Sequence, residues 1–209
     1  MASSRAWARR VADTIGLIIT FPLVAVFRIR LVRYATVSNA LALVPGSLGI
    51  VIRRAWYRQT LEACGRNFVV DFGAGIRTPR TRVGDDCYVG LWSWIGWADI
   101  GSDFMSGSHL VVLSGRNQHD FSRLDIPMRL QPGHHRCVKI GSDVWAGASV
   151  TIAEDVAPHT VVASGAVVTK TFAEYDILGG VPAKPIGNRA VKVEPQPERA
   201  SRSADATSS

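Results

Sequence analysis

The feature that most restricts the fold of this chain is a six-residue period between residues 140 and 170. This stretch divides into IGSDVW, AGASVT, IAEDVA, PHTVVA and SGAVVT. The fifth position of every hexad is valine: Val144, Val150, Val156, Val162 and Val168. Position five and position one of the next hexad are two residues apart, so an extended chain directs both to the same side. We therefore expect Val144 and Ala146 to face inward and Trp145 to face outward.

The same period occurs earlier, with glycine in the second position of each hexad. The earlier hexads are VGDDCY, VGLWSW, the shortened IGWAD, IGSDFM and SGSHLV, which together begin at Val83. Short strands at a period of six are typical of a parallel β-helix, in which each coil buries its aliphatic column only by stacking on the next. The chain holds enough hexads for about five coils of three. The fold class predicted is therefore all-β, a parallel β-helix preceded by a helical segment.

Basic charge is concentrated at the N-terminus. Residues 1–60 contain nine of the 24 Lys and Arg residues but only one of the 17 acids, Asp13, so residues 61–209 carry 15 basic against 16 acidic groups. This asymmetry argues against a nucleic-acid-binding domain and favours a basic segment attached to a nearly neutral globular body. Three widely spaced cysteines without a CxxC pair support neither a disulfide framework nor a structural zinc site, which favours the cytoplasm.

Two apolar runs in this segment have arginine on both flanks. The first, residues 14–27, is too short to span a bilayer comfortably, and the second, residues 37–52, is interrupted by Pro45 and Gly46. Such runs suit helices that lie in an anionic cytoplasmic leaflet. We expect a peripheral protein on the inner face of the membrane, in contact with it through residues 1–60. The alternative is that the runs are core helices packed on the body or on another subunit.

A helix is expected from about Gly49 to Cys64, with Gly65 ending it. At the other end, residues 190–209 have almost no hydrophobic pattern and should be disordered. The expected organisation is a helical segment at 1–65, a β-helix at 66–189 and this tail.

Three elements of the sequence resemble the left-handed β-helix hexapeptide acyltransferase superfamily, which includes galactoside, serine, xenobiotic and polysaccharide O-acetyltransferases. They are the hexads, the segment SGRNQHDF at 114–121 and the closing GGVPAKPIGNR at 179–189. The resemblance covers residues 66–189 and implies a left-handed triangular prism, a homotrimer and acyl-CoA bound in the groove between neighbouring prisms. Handedness comes from the resemblance alone, since periodicity does not show it.

The hexads are interrupted by 24 residues at 114–137, and a loop of that length inside a compact repeat is uncommon unless it is functional. In the family a protruding loop at this point carries the catalytic histidine, which the resemblance places at His119. An imidazole with a pKa near 6.5 can take the proton of an attacking hydroxyl, and such help is worth roughly 10²- to 10⁴-fold in rate. The other four histidines are His109, His134, His135 and His159; we expect His134 and His135 to be solvated or to contact substrate, and His109 and His159 to be structural.

The sequence alone does not identify which groups would assist His119. A carboxylate that orients the ring could be Asp120, Asp125 or Asp103, and Asn117 and Gln118 are candidates for donors to the oxyanion. The resemblance also implies contacts of acetyl-CoA with seven residues: Trp145, Ala148, Ser164, Thr169, Lys170, Lys184 and Arg189. Trp145 could equally be an aromatic contact between subunits.

These observations predict an O-acetyltransferase that transfers acetyl from acetyl-CoA to a sugar hydroxyl in a polysaccharide or lipid-linked glycan precursor, without a metal. One alternative is a zinc hydratase of the carbonic anhydrase type on the same prism, with His109, His119 and His134 or His135 as ligands. The close histidine pair that the resemblance would require for it, separated by four residues, is missing. A second alternative is a scaffold without catalysis.

Overall fold

A computed structural model describes residues 2–191 of the chain. It begins with three helices, α1 (Ala2–Arg28), α2 (Tyr34–Ala42) and α3 (Gly46–Thr60). Sixteen short strands follow in the described part. The disorder expected for residues 190–209 concerns a segment of which all but the first two residues lie outside the described range.

The strands are mostly two residues long, because each hexad also contains a two-residue turn with one linking residue on either side of it. They are β1 (Ala63–Cys64), β2 (Val69–Val70), β3 (Gly75–Ile76), β4 (Arg82–Val83), β5 (Tyr88–Val89), β6 (Trp94–Ile95), β7 (Ala98–Ile100), β8 (Met105–Ser106), β9 (Val111–Val112), β10 (Val138–Ile140), β11 (Trp145–Ala146), β12 (Thr151–Ile152), β13 (Val161–Val162), β14 (Val167–Val168), β15 (Asp176–Gly179) and β16 (Lys184–Asn188). A single turn of 3-10 helix, Met128–Leu130, lies between β9 and β10.

Three parallel sheets form the sides of a prism. Sheet A has the order β1-β4-β7-β10, sheet B the order β16-β15-β13-β11-β8-β5-β2, and sheet C the order β14-β12-β9-β6-β3. Each turn of the chain passes through sheets A, B and C once, which gives five turns. In the fifth turn sheet A contributes only a bridge between Ile140 and Val156. β15 starts a sixth turn in sheet B, and β16 returns antiparallel to it.

The inward column forms the core of the prism. The five hexad valines are all buried, Ala146 is inaccessible, and Trp145 between Val144 and Ala146 is 50% exposed. The alternation predicted from the hexads is thus confirmed, as is the parallel β-helix fold. Each turn covers the apolar side chains of the turn below, which is why the core is one continuous column.

Helices α2 and α3 close the N-terminal end of the prism. The first turn has no strand below it, so its backbone groups need other partners. Arg53, which is inaccessible to solvent, donates to the Val70 carbonyl at 2.9 Å, and Arg54 donates to the Phe68 carbonyl at 2.8 Å. The Tyr57 hydroxyl accepts the Ile76 N–H at 3.2 Å. Within the second apolar run, Val37, Leu41 and Ile52 are buried in the core of the body, so this run packs on the body as the alternative to membrane contact expected.

Helix α3 begins at Gly46 and ends at Thr60, so both ends precede those expected from the sequence. The prediction that the helix continues to Cys64 is wrong because β1, Ala63–Cys64, pairs with Arg82–Val83 as the first strand of sheet A. The strand pairing outweighs the local helical pattern, and the β-helix starts at Ala63.

Helix α1 packs on α3. Within it, the window Val11–Arg28 is long and apolar enough to cross a membrane by length and composition, a test that a core helix also passes. Only 17% of this window is buried. The helix, Ala2–Arg28, extends beyond the apolar run of residues 14–27 at both ends.

Candidate active site

The interrupting loop leaves the prism after β9 in sheet C and returns into β10 in sheet A. It therefore projects from the edge between sheets C and A, called the C–A edge, between the third and fourth turns. At its base the Arg136 N–H donates to the Ser114 carbonyl at 3.0 Å. The Arg136 guanidinium pairs with Asp155 at 2.8 Å and also with Glu154. Both ends of the loop are thus attached to the prism.

Two segments inside the loop lie against each other. The His134 N–H donates to the Asn117 carbonyl at 3.0 Å, and the Asp120 N–H donates to the Pro132 carbonyl at 2.7 Å. Gly133 permits this approach, because a Cβ there would lie 1.8 Å from the Gln118 carbonyl oxygen. The pairing brings His134, which is fifteen residues from His119 in sequence, to the same place.

The paired segments enclose a pocket of about 260 Å³. Its lining residues are Asn117, His119, Asp120, Phe121 and His134. The His119 side chain is exposed, and within residues 2–191 its ring has no hydrogen-bond partner. The ring nitrogens are therefore free to exchange a proton with a bound substrate. His134 joins the pocket as a second imidazole, which the sequence pattern did not select.

None of the three candidate carboxylates is bonded to His119 in the described structure. Asp120 accepts the N–H groups of Phe121 at 2.7 Å and Ser122 at 3.0 Å, and the bonds from Ser122 hold the pKa of this carboxyl below its usual value. Asp125 pairs with Arg123 within the loop. Asp103 lies on the prism, at the edge between sheets A and B. Asp120 is the only one of the three that lines the pocket.

The two candidate oxyanion donors differ in their contacts. The Gln118 amide donates to the Gly115 carbonyl at 3.2 Å, so it stabilises the loop. Asn117 lines the pocket, and its side-chain amide is bonded to nothing in the described part of the chain. Asn117 is therefore the better placed of the pair.

Three of the seven predicted cofactor residues lie together at the B–C edge, between sheets B and C. The Ala148 N–H donates to the Ser164 hydroxyl at 3.1 Å, which shows that the two are stacked on successive turns. Lys184 lies at the same end of sheet B, since it pairs with Gly179 at the end of β15. The exposed Trp145 lies on the outer face of sheet B nearby. This edge therefore combines small side chains with an exposed cation.

The other predicted cofactor residues lie on different edges. Thr169 and Lys170 follow β14 at the C–A edge, where the Arg116 guanidinium of the loop donates to the Thr169 carbonyl at 3.3 Å. Arg189 lies at the A–B edge and pairs with Asp143 at 3.1 Å. Lys184 and Arg189 are thus near opposite ends of β16, and the structure does not bring them together.

The two histidines inside hexads differ. His159 bonds Asp143 at 2.9 Å and stacks on Tyr175 with ring centroids 4.7 Å apart, a structural arrangement at the A–B edge. His109 is exposed at the B–C edge, one turn before Ala148. His109 occupies the same hexad position as Ser149. The hexad register alone could therefore have placed its side chain at this edge.

No group of three or more His, Cys, Asp or Glu side chains could hold a metal ion anywhere in residues 2–191. Within a single described chain the three imidazoles that a zinc hydratase needs do not converge, because His109 is at the B–C edge and His119 is on the loop at the C–A edge.

Several solved structures have a similar fold. A maltose O-acetyltransferase from Clostridium difficile 630 is 19% identical, with 74% of this chain and 84% of that chain covered and a TM-score of 0.66. A hexapeptide-repeat acetyltransferase from Vibrio cholerae is 18% identical, with 74% and 89% covered and a TM-score of 0.52. The N-acyltransferase AntD from Bacillus cereus, solved with dTDP and 3-hydroxybutyryl-CoA, is 17% identical, with 62% and 84% covered and a TM-score of 0.50.

No protein-family model matches the chain, and the search of curated proteins finds no significant match. The similarity is therefore one of fold, and it extends over most of each solved chain.

Proposed function

We propose that this chain, which has the left-handed β-helix fold of the hexapeptide-repeat acetyltransferases, transfers an acetyl group from acetyl-CoA to a hydroxyl of a sugar in a polysaccharide or lipid-linked glycan precursor. The observation that carries the proposal is the unpartnered ring of His119 in a pocket on the only long interruption of the described coils. A regular β-helix has no structural need for such a loop.

In the proposed reaction His119 takes the proton of the acceptor hydroxyl while that oxygen attacks the thioester carbonyl. The resulting oxyanion is stabilised by donors such as the Asn117 amide. The carbon–sulfur bond then breaks, and the imidazolium returns its proton to the departing CoA thiolate. The acetyl group ends on the sugar oxygen, so atoms and charge balance without a metal.

The acetyl-CoA site is proposed to use Trp145, Ala148, Ser164 and Lys184 at the B–C edge. Lys184 is exposed and has no ion pair within the described residues, so it is available for a phosphate. Since His119 projects from the C–A edge of the same prism, the two halves of the site lie on opposite sides of sheet C. A homotrimer would bring the loop of one subunit to the B–C edge of the next.

The outer face of sheet B supports such an assembly. Its outward column contains Tyr88, Met105 and Trp145 in direct register, 37%, 48% and 50% exposed. The outward column of sheet A contains charged residues instead, such as Asp99 and Lys139. Apolar side chains in contact on one face are typical of an interface. We propose that the B–C side of the prism contacts a neighbouring subunit.

The protein is proposed to act in the cytoplasm at the inner face of the membrane. Nine arginines against one acid in residues 1–60 favour an anionic surface. A lipid-linked acceptor and the enzyme would then meet on the same surface.

The proposal can be tested by a thermal melt with acetyl-CoA, free CoA and zinc as separate additions. Acetyl-CoA at about 100 times its Kd should stabilise the protein by about 2.7 kcal/mol and shift Tm by several degrees. The variant Lys184→Ala should need more acetyl-CoA for the same shift, whereas Lys139→Ala, an exposed lysine on sheet A, should behave as wild type. A shift with zinc and none with acetyl-CoA would contradict acyl transfer.

A further inference from the structure

Helix α1 has two unlike faces. Gly16, Thr20 and Asp13 face α3: a Cβ on Gly16 would lie 3.0 Å from the Ala55 methyl, and the Thr20 hydroxyl accepts the Gln59 amide at 2.7 Å. On the other face large apolar side chains are exposed. They are Trp7 (68%), Val11 (38%), Ile15 (48%), Ile18 (68%) and Phe21 (68%). Residues spaced by three, four and seven share a face of a helix, so these five form one stripe.

The stripe points directly away from the prism. Helix α3 contacts the first turn of the β-helix through Arg53 and Tyr57, and it contacts α1 through Val51 and Ala55 on its opposite side. The order of layers along the prism axis is therefore β-helix, α3, α1. The stripe on α1 is the outermost surface at this end of the molecule.

The charges around the stripe are of one sign. The single acid of the segment, Asp13, is turned inward, where it pairs with Arg54 at 3.2 Å and with Arg58 at 3.4 Å. The helix ends at the exposed Arg28, and the exposed Arg30 and Arg33 follow it. An apolar stripe beside uncompensated arginines is complementary to a lipid surface with anionic headgroups.

From this geometry we infer that the prism stands end-on on an anionic membrane, with α1 lying in the plane of the interface. α1 does not cross the bilayer, because its face with Gly16 and Thr20 is occupied by α3. We take the occupant of the stripe to be lipid. An acidic protein surface would pair with the arginines but would leave the large aliphatic side chains uncovered, whereas an anionic lipid surface does both.

End-on docking sets the height of the catalytic loop. Two layers of helices and about two and a half turns of strand separate the axis of α1 from the base of the loop after β9. With helices about 9 Å apart and strands about 4.8 Å apart, this height is about 30 Å. If the proposed function holds, the acceptor hydroxyl belongs to a glycan that stands well above the headgroups, rather than to a sugar attached directly to the lipid.

The docking surface is tested by sedimentation with vesicles of equal parts phosphatidylcholine and phosphatidylglycerol. The wild type should bind them, and Ile18→Asp should reduce the partition coefficient at least about tenfold, because an apolar side chain is replaced by a charge in the interface. Val181→Asp, a 71% exposed valine beyond β15, is the matched control and should bind as wild type. Equal binding of Ile18→Asp and wild type, or no binding by the wild type, would overturn the inference.

The orientation is tested with brominated lipids, which quench nearby tryptophans. Quenching should be present in the wild type and fall in Trp7→Phe, because the other exposed tryptophans, Trp92 and Trp145, are on the coils and Trp56 of α3 is inaccessible. Quenching that is as strong in Trp7→Phe as in the wild type would contradict the end-on orientation. If Ile18→Asp changes the oligomeric mass in solution and leaves vesicle binding intact, the stripe is covered by a second copy of the chain, and the inference is wrong.

These measurements need no acetyl transfer. Vesicle binding without any effect of acetyl-CoA on Tm would contradict the proposed acetyl transfer alone. The reverse result would contradict the docking of α1 and the proposed membrane location, but not acetyl transfer.

Discussion

The coils and the loop that interrupts them are built from the same chain but by different rules. In the coils, buried aliphatic side chains alternate with outward ones, and each strand pairs with the strands of neighbouring turns. In the loop, residues 116–130 are almost all exposed, and the carboxylates bond to neighbours in the loop itself. Stability therefore resides in the coils, whereas the loop can hold groups such as His119 that contribute nothing to folding.

This separation implies that catalysis and stability can be removed independently. The largest effect is expected for His119→Ala, which should lower the rate of acetyl transfer roughly 10²- to 10⁴-fold, since general-base help is lost. Tm should not change, because the side chain is exposed and unpartnered. The rate of CoA thiol release from acetyl-CoA in the presence of acceptor measures the first effect. His135→Ala, an exposed histidine of the same loop outside the pocket, should keep the wild-type rate.

The opposite effect is expected in the coils. Ile152→Ala removes an inaccessible side chain from sheet C and should lower the free energy of unfolding by about 2–5 kcal/mol. The change should be visible in urea denaturation, while the rate per folded molecule stays unchanged. Its neighbour Thr151 points outward, and Thr151→Ala should cost less than about 1 kcal/mol. A similar loss in both variants would mean that the strand is not oriented as described.

Gln131 is an exception to the rule that loop residues are exposed and do not contribute to stability. Gln131 is only 5% exposed, accepts the Arg123 N–H at 3.1 Å, and donates to the carbonyls of Arg123 at 2.7 Å and Ile126 at 3.2 Å. Gln131→Ala leaves these groups unpaired and should destabilise the loop locally by about 1–3 kcal/mol. Amide hydrogen exchange should accelerate in residues 120–131 and not in sheet C. Acceleration in both regions would show that the loop and the coils unfold together.

The smallest expected effect concerns the pH dependence of Tm, which should respond to a carboxylate of the coils and not to one of the loop. The bond with His159 and the charge of Arg189 hold the pKa of Asp143 below its usual value. A lowered folded-state pKa contributes stability above the unfolded pKa of about 3.9, and this contribution is lost as the pH falls through the folded value. Asp143→Asn should therefore slightly lower Tm at pH 7 and flatten the decrease below pH 4. Asp120→Asn, with a pKa lowered within the loop, should leave global Tm unchanged at both pH values.

The coils could be predicted from the sequence because the information is local. The valine of each hexad, from Val144 to Val168, is buried as its position in the period requires, and Trp145 is exposed for the same reason. The end of α3 could not be predicted in this way. Residues 61–64 continue a plausible helix, but pairing of Cys64 with Val83 places them in sheet A.

The candidate site was predictable only in part. The interruption of the hexads pointed to residues 114–137, and the resemblance pointed to His119 within them. The approach of His134 could not be read from the sequence, because it depends on Gly133 lying against Gln118 in a folded loop. The carboxylate partner also stayed open, and in the described chain none of the three candidates is hydrogen-bonded to the ring.

What the sequence determined by itself is the repeat, and through it the inward and outward sides of the strands within the hexads, because a period of two within a hexad is a local property. The tertiary structure decided which edge each residue occupies: Lys184 lies at the B–C edge, Arg189 at the A–B edge and His119 beside the C–A edge. It also decided that one face of α1 packs and the other is exposed. These outcomes depend on partners far away in sequence, such as the Phe68 and Val70 carbonyls that hold α3 on the first turn.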